Sequence, residues 1–400
     1  MQFKTKVEPK EHDAFVSNHP LCNLLQSSQW AKVKENWDHE IVGVVEKDAL
    51  IVSASILIKR LPLGFTMMYI PRGPIMDYEN KDVMAFFFKE LKKWAKKYRC
   101  LFIKMDPGIH VNDYKIDEQN TNRYPITNTI LSNMKLSGAI HQGFSTYIEE
   151  SIQPRFQANV YKTEDFDEQL PRHTKRLIKD ALKRDVKVIK ADASRMKEFS
   201  DVVSLTEERK NVNLRNHEYF MQLMDIYGDD AYLFLASVNI PETLERLLKE
   251  QEANALELEA LKEGSPKKQR RLNDIKNALE KDIKEFREFE KDYPQNSVIA
   301  GILSVVYGNT MEMLYAGMND RFKKFMPQYY LYTENMKYAF EHGLQYANMG
   351  GVEGDLADGL TKFKSNFNPY INEFIGEFDV PVSVFYRLAR MAMKLRKKIR

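Results

Sequence analysis

The sequence predicts an α/β protein with two sheet-and-helix lobes and a helical hairpin inserted into the second. Two observations carry this. A strand–helix–strand pattern at Met67 to Ile70, Lys81 to Tyr98 and Leu101 to Met105 returns near the end of the chain. There it runs Thr310 to Ala316, Gln328 to His342 and Leu344 to Met349. Alternating elements of this kind pack helices against a mostly continuous sheet, and the two units read as weak internal duplicates. Second, the stretch from Pro241 to Tyr293 has almost no aromatic residues and is dense in Leu, Glu and Lys.

The elements follow in order. Glu40 to Val45 and Leu50 to Lys59 are rich in Val and Ile and read as strands. Lys81 to Tyr98 is periodic, with Val83, Phe86, Phe87, Leu91 and Trp94 on one helical face. Leu101 to Met105 is a strand that Asp106-Pro107-Gly108 should stop. In the inserted region, Leu244, Leu247, Leu248, Leu256, Leu258 and Leu261 mark one helix, and Gly264-Ser265-Pro266 breaks it. Leu272, Ile275, Leu279, Ile283 and Phe286 mark a second. Two amphipathic helices joined by a short turn form an antiparallel coiled-coil hairpin. At ~1.5 Å per residue each helix is roughly 35 Å long, and its polar surface suits a projecting arm. Strand-like sequence resumes at Ser297 to Tyr307.

Bulk composition narrows the function classes. A chain of 400 residues, 43% hydrophobic and 29% charged, is long enough for two or more folded domains. Its net charge of +3 sets up no global field for nucleic acid, so any basic surface is local. Cys22 and Cys100 stand far apart, outside any metal or redox spacing, which suits a reducing cytosol. The first residues lack a signal-peptide core, and the longest nearly apolar run, Ala49 to Ile58, is about half a membrane span. The expectation is a cytoplasmic protein. No Gly-x-Ser-x-Gly elbow, His-Glu-x-x-His pair or phosphate-binding Gly-x-x-x-x-Gly-Lys loop occurs. No metal and no cofactor are expected.

The segment Tyr346 to Phe367 carries the most chemistry. A short apolar strand runs into Gly350-Gly351, acids follow, and Lys364 lies between Phe363 and Phe367. Glycines after a strand let a ligand approach the backbone, and a lysine held by aromatic neighbours delivers a point charge. The acids would repel a pyrophosphate, so an acyl donor other than a CoA thioester is favoured. Further blocks are Trp30-Ala-Lys-Val-Lys34, Tyr69-Ile-Pro-Arg-Gly-Pro74, Ile152-Gln-Pro-Arg155, Asn213-Leu-Arg215-Asn-His-Glu-Tyr219 and Leu314-Tyr315-Ala-Gly317.

Together, in this order and spacing, these blocks resemble the Fem (FemABX) aminoacyltransferases, most closely the MurM-type enzymes. The resemblance covers about Leu24 to Pro381. It implies two GNAT-like lobes: residues 1–151, then 152–240 with 296–381, with 241–295 as the coiled-coil arm. The tail 382–400 would return to the first lobe or lie on the membrane. It implies transfer of alanine or serine from aminoacyl-tRNA to the stem-peptide amine of lipid II, at the inner face of the membrane. Self-association or pairing with related Fem-type enzymes is a further partner expectation.

The resemblance also implies site residues. Lys364 matches the family's Phe-Lys motif and would act on charge at the reaction centre. Lys34, Arg215, Tyr219 and Tyr315 match positions that hold the cell-wall precursor in a relative, and Asn213 falls where that relative has a hydroxyl residue. Lys and Arg suit a diphosphate. Asp106, at a strand end, is a candidate proton acceptor. Trp30 reads as a core aromatic. Basic runs at Arg172 to Lys187 and at the arm tip, Lys267, Lys268, Arg270 and Arg271, could meet tRNA phosphates. The tail from Arg387 to Arg400 holds seven basic residues, no acid and interleaved apolar residues, which suits an anionic leaflet. Two other readings stay open: a CoA-dependent GNAT acyltransferase, and a non-catalytic tRNA- or partner-binding protein that uses the arm.

Overall fold

The computed structural model describes residues 1–118, 122–210, 215–261 and 265–399, with the side chains of 210 and 393–399 left aside. Two mixed sheets of eight strands each form its frame. The first runs, neighbour to neighbour, Gln2–Thr5, Asp38–Glu46, Ala49–Arg60, Thr66–Arg72, Cys100–Pro107, Phe378–Pro381 and Ile140–His141, with Ile75–Met76 paired to Ala49–Arg60. The second runs Lys187–Ala191, Ala231–Asn239, Asn296–Tyr307, Thr310–Met318, Tyr346–Val352, Phe156–Tyr161, Tyr370–Phe374 and His110–Lys115.

Each sheet holds one parallel pair. Thr66–Arg72 lies parallel to Cys100–Pro107, and Thr310–Met318 parallel to Tyr346–Val352. A parallel pair needs a crossover, and helices supply it: Lys81–Lys96 in the first case and Pro327–Glu341 in the second. This is the duplicated unit anticipated from sequence. Asn80 starts the first crossover helix, its side chain accepting from Val83 N at 3.1 Å. Phe87, Phe88 and Leu91 on its inner face are fully buried, each contributing roughly 1.5–3 kcal/mol of burial. Phe86 is only half-buried, and Met84 and Phe88 fill the face in its place.

Two strands cross the expected division at residue 151. His110–Lys115 joins the edge of the second sheet through Tyr370–Phe374, while Phe378–Pro381 enters the first sheet beside Cys100–Pro107. The strand stops at Pro107, as expected, and the chain then passes from the first sheet into the second.

The hairpin comprises Ile240–Ala260 and Pro266–Asp292. Its base is part of the second lobe, because Leu244, Leu247, Leu279, Ile283 and Phe286 belong to that lobe's core. Phe286 meets Phe325, and Phe289 stacks on Phe322 with centroids 4.7 Å apart. Only the distal part projects as the arm that its polar surface suggested. Toward the tip the helices hold each other through Leu272 and Asn254, whose Nδ2 donates to Leu272 O at 3.3 Å.

The tail helix Tyr386–Ile399 docks on the first lobe. Tyr386 packs edge-on against Phe102, and its hydroxyl donates to Asp379 at 3.0 Å. Arg390 and Lys104 also reach the fully buried Asp379, at 2.8 and 3.2 Å. A buried carboxylate needs such partners.

Candidate active site

The cleft between the lobes collects residues that lie far apart in the sequence. Lys34 ends the short helix Ser28–Val33, which Ser27 caps by accepting from Trp30 N at 3.1 Å. Its ammonium sits 4.8 Å from the Trp30 ring centroid and 6.0 Å from that of Tyr219. The Arg215 guanidinium lies 5.0 Å over the same Tyr219 ring. Tyr315 donates its hydroxyl hydrogen to the Tyr219 hydroxyl at 3.2 Å, fixing the pair at the lobe wall. Trp30 is buried in the core beneath them, as anticipated.

Lys34, Arg215 and Tyr219 line a cavity of 380 Å³, together with Trp37, Tyr69 and Gln153. Burial, and then the neighbouring Arg215, lowers the Lys34 ammonium to about 8. Two cations held together in a partly dry pocket repel each other until an anion enters. Tyr219 is pushed up by burial and stays a neutral hydroxyl. Asn213 lies outside the described residues.

Asp106 occupies the next position inward. Its Oδ2 accepts from the Tyr69 hydroxyl at 2.9 Å and its Oδ1 from Arg72 N at 2.8 Å. It is 3% exposed, and burial pushes its carboxyl up to about 6. Both oxygens are engaged: Oδ2 holds Tyr69 and Oδ1 holds the turn at Arg72, whose φ of 51° is unusual for a residue with a side chain. The Arg72 guanidinium in turn donates to Pro154 O at 2.6 Å and stacks over Phe374 at 4.0 Å. Arg155 is likewise an internal brace, bound to Glu373 at 2.5 Å. Arg72 thus fastens the first sheet to the second, and Arg155 braces the second from within.

Lys364 stands on the far side. Asp358 caps its helix Gly359–Ser365, accepting from Leu360 N at 2.7 Å and Thr361 N at 3.1 Å. Phe363 and Phe367 wedge against Tyr329 and Tyr332, with Phe363 5.1 Å from Tyr332. That clamp aims Lys364, 3% exposed, at the glycine pair, where its Nζ donates to Gly351 O at 2.7 Å. The glycines are required. Gly350 has φ 81°, and a Cβ on Gly351 would fall 2.5 Å from Pro154. The basic helix Arg172–Lys183 touches this site, as Thr174 Oγ1 donates to Asn366 O just past the Lys364 helix.

One residue absent from the sequence reading joins the two sides. Glu312 is half-buried on Thr310–Met318, opposite Asn348 of the parallel strand. Burial pushes its carboxyl up to about 7, against the pull of Arg72 and a hydrogen bond from Asn348. Asn348 Oδ1 accepts from Gly350 N at 2.8 Å. A line of polar groups thus runs Tyr69, Asp106, Arg72, Glu312, Asn348, Gly350, Gly351, Lys364. In sequence, Met311-Glu312-Met313 reads as ordinary strand alternation, with no signal beyond a lone acid.

The arm-tip residues Lys267, Lys268, Arg270 and Arg271 are exposed and far in sequence from this cleft. Among the described residues there is no cluster fit for a metal, and no helix is long and apolar enough to cross a membrane.

Comparison with known proteins finds relatives over nearly the whole chain. The chain is 30% identical over 425 residues to the lipid II:glycine glycyltransferase of Staphylococcus epidermidis, with 99% of each chain covered. It is 29% identical over 432 residues to the protein of that name from Staphylococcus aureus, again over 99% of each. The crystal structure of FemX matches with a TM-score of 0.77 at 28% identity, covering 98% of this chain and 99% of FemX. The sequence model of the FemAB family spans residues 7–394, taking in both lobes, the arm and the docked part of the tail. A match of that extent, on a fold shared end to end, means that the chain belongs to the FemAB family.

Proposed function

We propose that the protein transfers an amino acid from aminoacyl-tRNA to the side-chain amine of the lipid II stem peptide. One observation carries the reading: a paired-cation pocket at one end of the cleft and a buried lysine at the other, joined by a continuous line of polar groups. Lys34 and Arg215 suit the diphosphate of the precursor, with Tyr219 and Tyr315 as the wall against which it lies. The stem peptide then extends past Tyr69 toward Lys364.

Chemically the step is attack of a neutral amine on an activated ester. The new C–N bond forms as the C–O bond to the tRNA ribose breaks. Such a reaction needs positioning and stabilisation of the oxyanion more than covalent assistance. Lys364, held in place by the aromatic clamp, supplies the cation. The basic helix beside it and the basic arm tip suit tRNA phosphates. The relatives are named for glycine, whereas the MurM-like blocks point to alanine or serine, so the reading assigns a small amino acid. Leu388 and Met391, exposed on the basic tail helix, support work at the inner leaflet.

The test is incubation of purified protein with lipid II and tRNAs charged with glycine, alanine or serine, followed by tandem mass spectrometry. One residue added on the side-chain amine is expected. Addition elsewhere on the precursor, or addition from acyl-CoA, would overturn the reading.

A further inference from the structure

Glu312 stands where the second sheet splits. Thr310–Met318 and Tyr346–Val352 pair only from Thr310 to Glu312 against Tyr346 to Asn348, although both strands run on. Past that point their facing edges part. Tyr346–Val352 also breaks register against Phe156–Tyr161 between Asn348 and Gly351, a bulge of the kind that re-aims groups beside a site. Open strand edges accept an extended segment through main-chain hydrogen bonds. Glu312 and Asn348 form the apex of this split. Asn348 is fixed from both sides, accepting from Gly350 N and donating to Gln157 Oε1 at 3.1 Å. Lys364 closes the same side at Gly351 O.

We propose, resting on the transferase reading above, that Glu312 is the proton acceptor of the transfer. As the amine nitrogen bonds to the ester carbonyl carbon, its proton passes to the Glu312 carboxylate. When the C–O bond to the ribose breaks, that proton passes to the departing ribose oxygen. Protons and electron pairs balance with no further reactant. Asp106 is 3% exposed with both oxygens engaged, whereas Glu312 is half-buried, with Arg72, whose backbone N binds Asp106, on one hand and Asn348, which binds Gly350 N, on the other. A carboxyl near 7 is also matched to proton transfer at neutral pH.

The groups that face Glu312 leave its titration readable. Arg72 comes from Thr66–Arg72, Cys22 from the segment before the Leu24–Gln26 turn, and Tyr346 from the adjacent strand. Cys22 is raised to about 12 by burial, and Tyr346 is raised as well, so both stay neutral. Arg72 is the charged neighbour.

The experiment measures steady-state transfer against pH for wild type, Glu312→Gln, Glu312→Asp and Asp106→Asn. Glu312→Gln is expected to lower kcat by at least about 100-fold while each KM stays within about threefold. Wild-type kcat should rise with pH through about 7. That limb should vanish in Glu312→Gln and persist in the residual activity of Asp106→Asn. Retention of more than a tenth of kcat by Glu312→Gln, or an unchanged limb in it, overturns the proposal. Circular dichroism checks folding. If the amide does not fold, Glu312→Asp decides: a displaced limb supports the role and an unmoved one overturns it. A wild type that transfers nothing would instead contradict the parent reading.

Discussion

Replacing Lys364 with methionine separates charge from shape. The methionine keeps the apolar stem between Phe363 and Phe367 and removes the ammonium that binds Gly351 O at 2.7 Å. A charge-assisted hydrogen bond of this kind contributes roughly 1.5–3 kcal/mol. Losing it is partly offset, because the ammonium no longer has to be held at 3% exposure. A net loss of at most about 2 kcal/mol follows, or a fall in Tm of roughly 4–8 °C for a domain of this size. Chemistry should suffer far more. Removing one preorganised group from a developing oxyanion costs roughly 10²–10³ in kcat, or about 2.7–4 kcal/mol. The assay is steady-state transfer to a soluble precursor beside a thermal melt. The expected outcome is a fall of that size in kcat, with KM for the precursor changed less than about threefold. A variant that keeps most wild-type kcat while folded would remove Lys364 from the mechanism.

Three other outcomes follow from the geometry. Lys34 at about 8 must be protonated to hold an anion, so kcat/KM for the diphosphate-bearing precursor should fall as pH rises through about 8. That descent should be absent in Lys34→Met, and an acceptor lacking the diphosphate should show no extra loss in Lys34→Met or Arg215→Ala; equal loss on both acceptors would refute the pocket assignment. In the tail, truncation after Pro381 should destabilise the first lobe, because it removes Tyr386 and Arg390 from buried Asp379. Leu388→Asp with Met391→Asp, at 61% and 54% exposed, should leave the melt unchanged and weaken binding to anionic vesicles; unaltered vesicle binding would exclude this face from the membrane. Reversing Lys267, Lys268, Arg270 and Arg271 to glutamate should weaken tRNA binding and flatten its salt dependence by about one logarithmic unit per lost contact, up to four. Unchanged affinity would assign the arm tip to another partner.

The duplicated strand–helix–strand units were legible because their apolar periodicity is local and strong, and the crossover helices bury long side chains. The traded strands were not. His110–Lys115 and Phe378–Pro381 are short, and their partners are set by tertiary pairing across the lobes. The arm was legible as two helices, but its leucine and phenylalanine pattern could not tell a partner helix from a lobe core. Leu279, Ile283 and Phe286 chose the latter. Lys364 was readable because its clamp, Phe363 and Phe367, is adjacent in sequence. The convergence of Lys34, Arg215, Tyr219 and Tyr315 came only from the resemblance, since nothing local links them. Asp106 looked like a turn acid before proline, and the structure makes it the anchor of the Arg72 turn. Glu312 stayed hidden because a single acid between methionines resembles any solvent-facing strand position.

On the proposed function, one cleft joins an aminoacyl-tRNA to a diphosphate-bearing acceptor. Its most direct test is single-turnover transfer from labelled aminoacyl-tRNA to lipid II by the wild-type protein, with unlabelled acyl-CoA as a parallel donor. Label is expected on the stem-peptide side-chain amine, dependent on the charged tRNA and lost in Lys364→Met. Label that never leaves the tRNA with any of the three small amino acids, or acylation from the CoA donor, would contradict it.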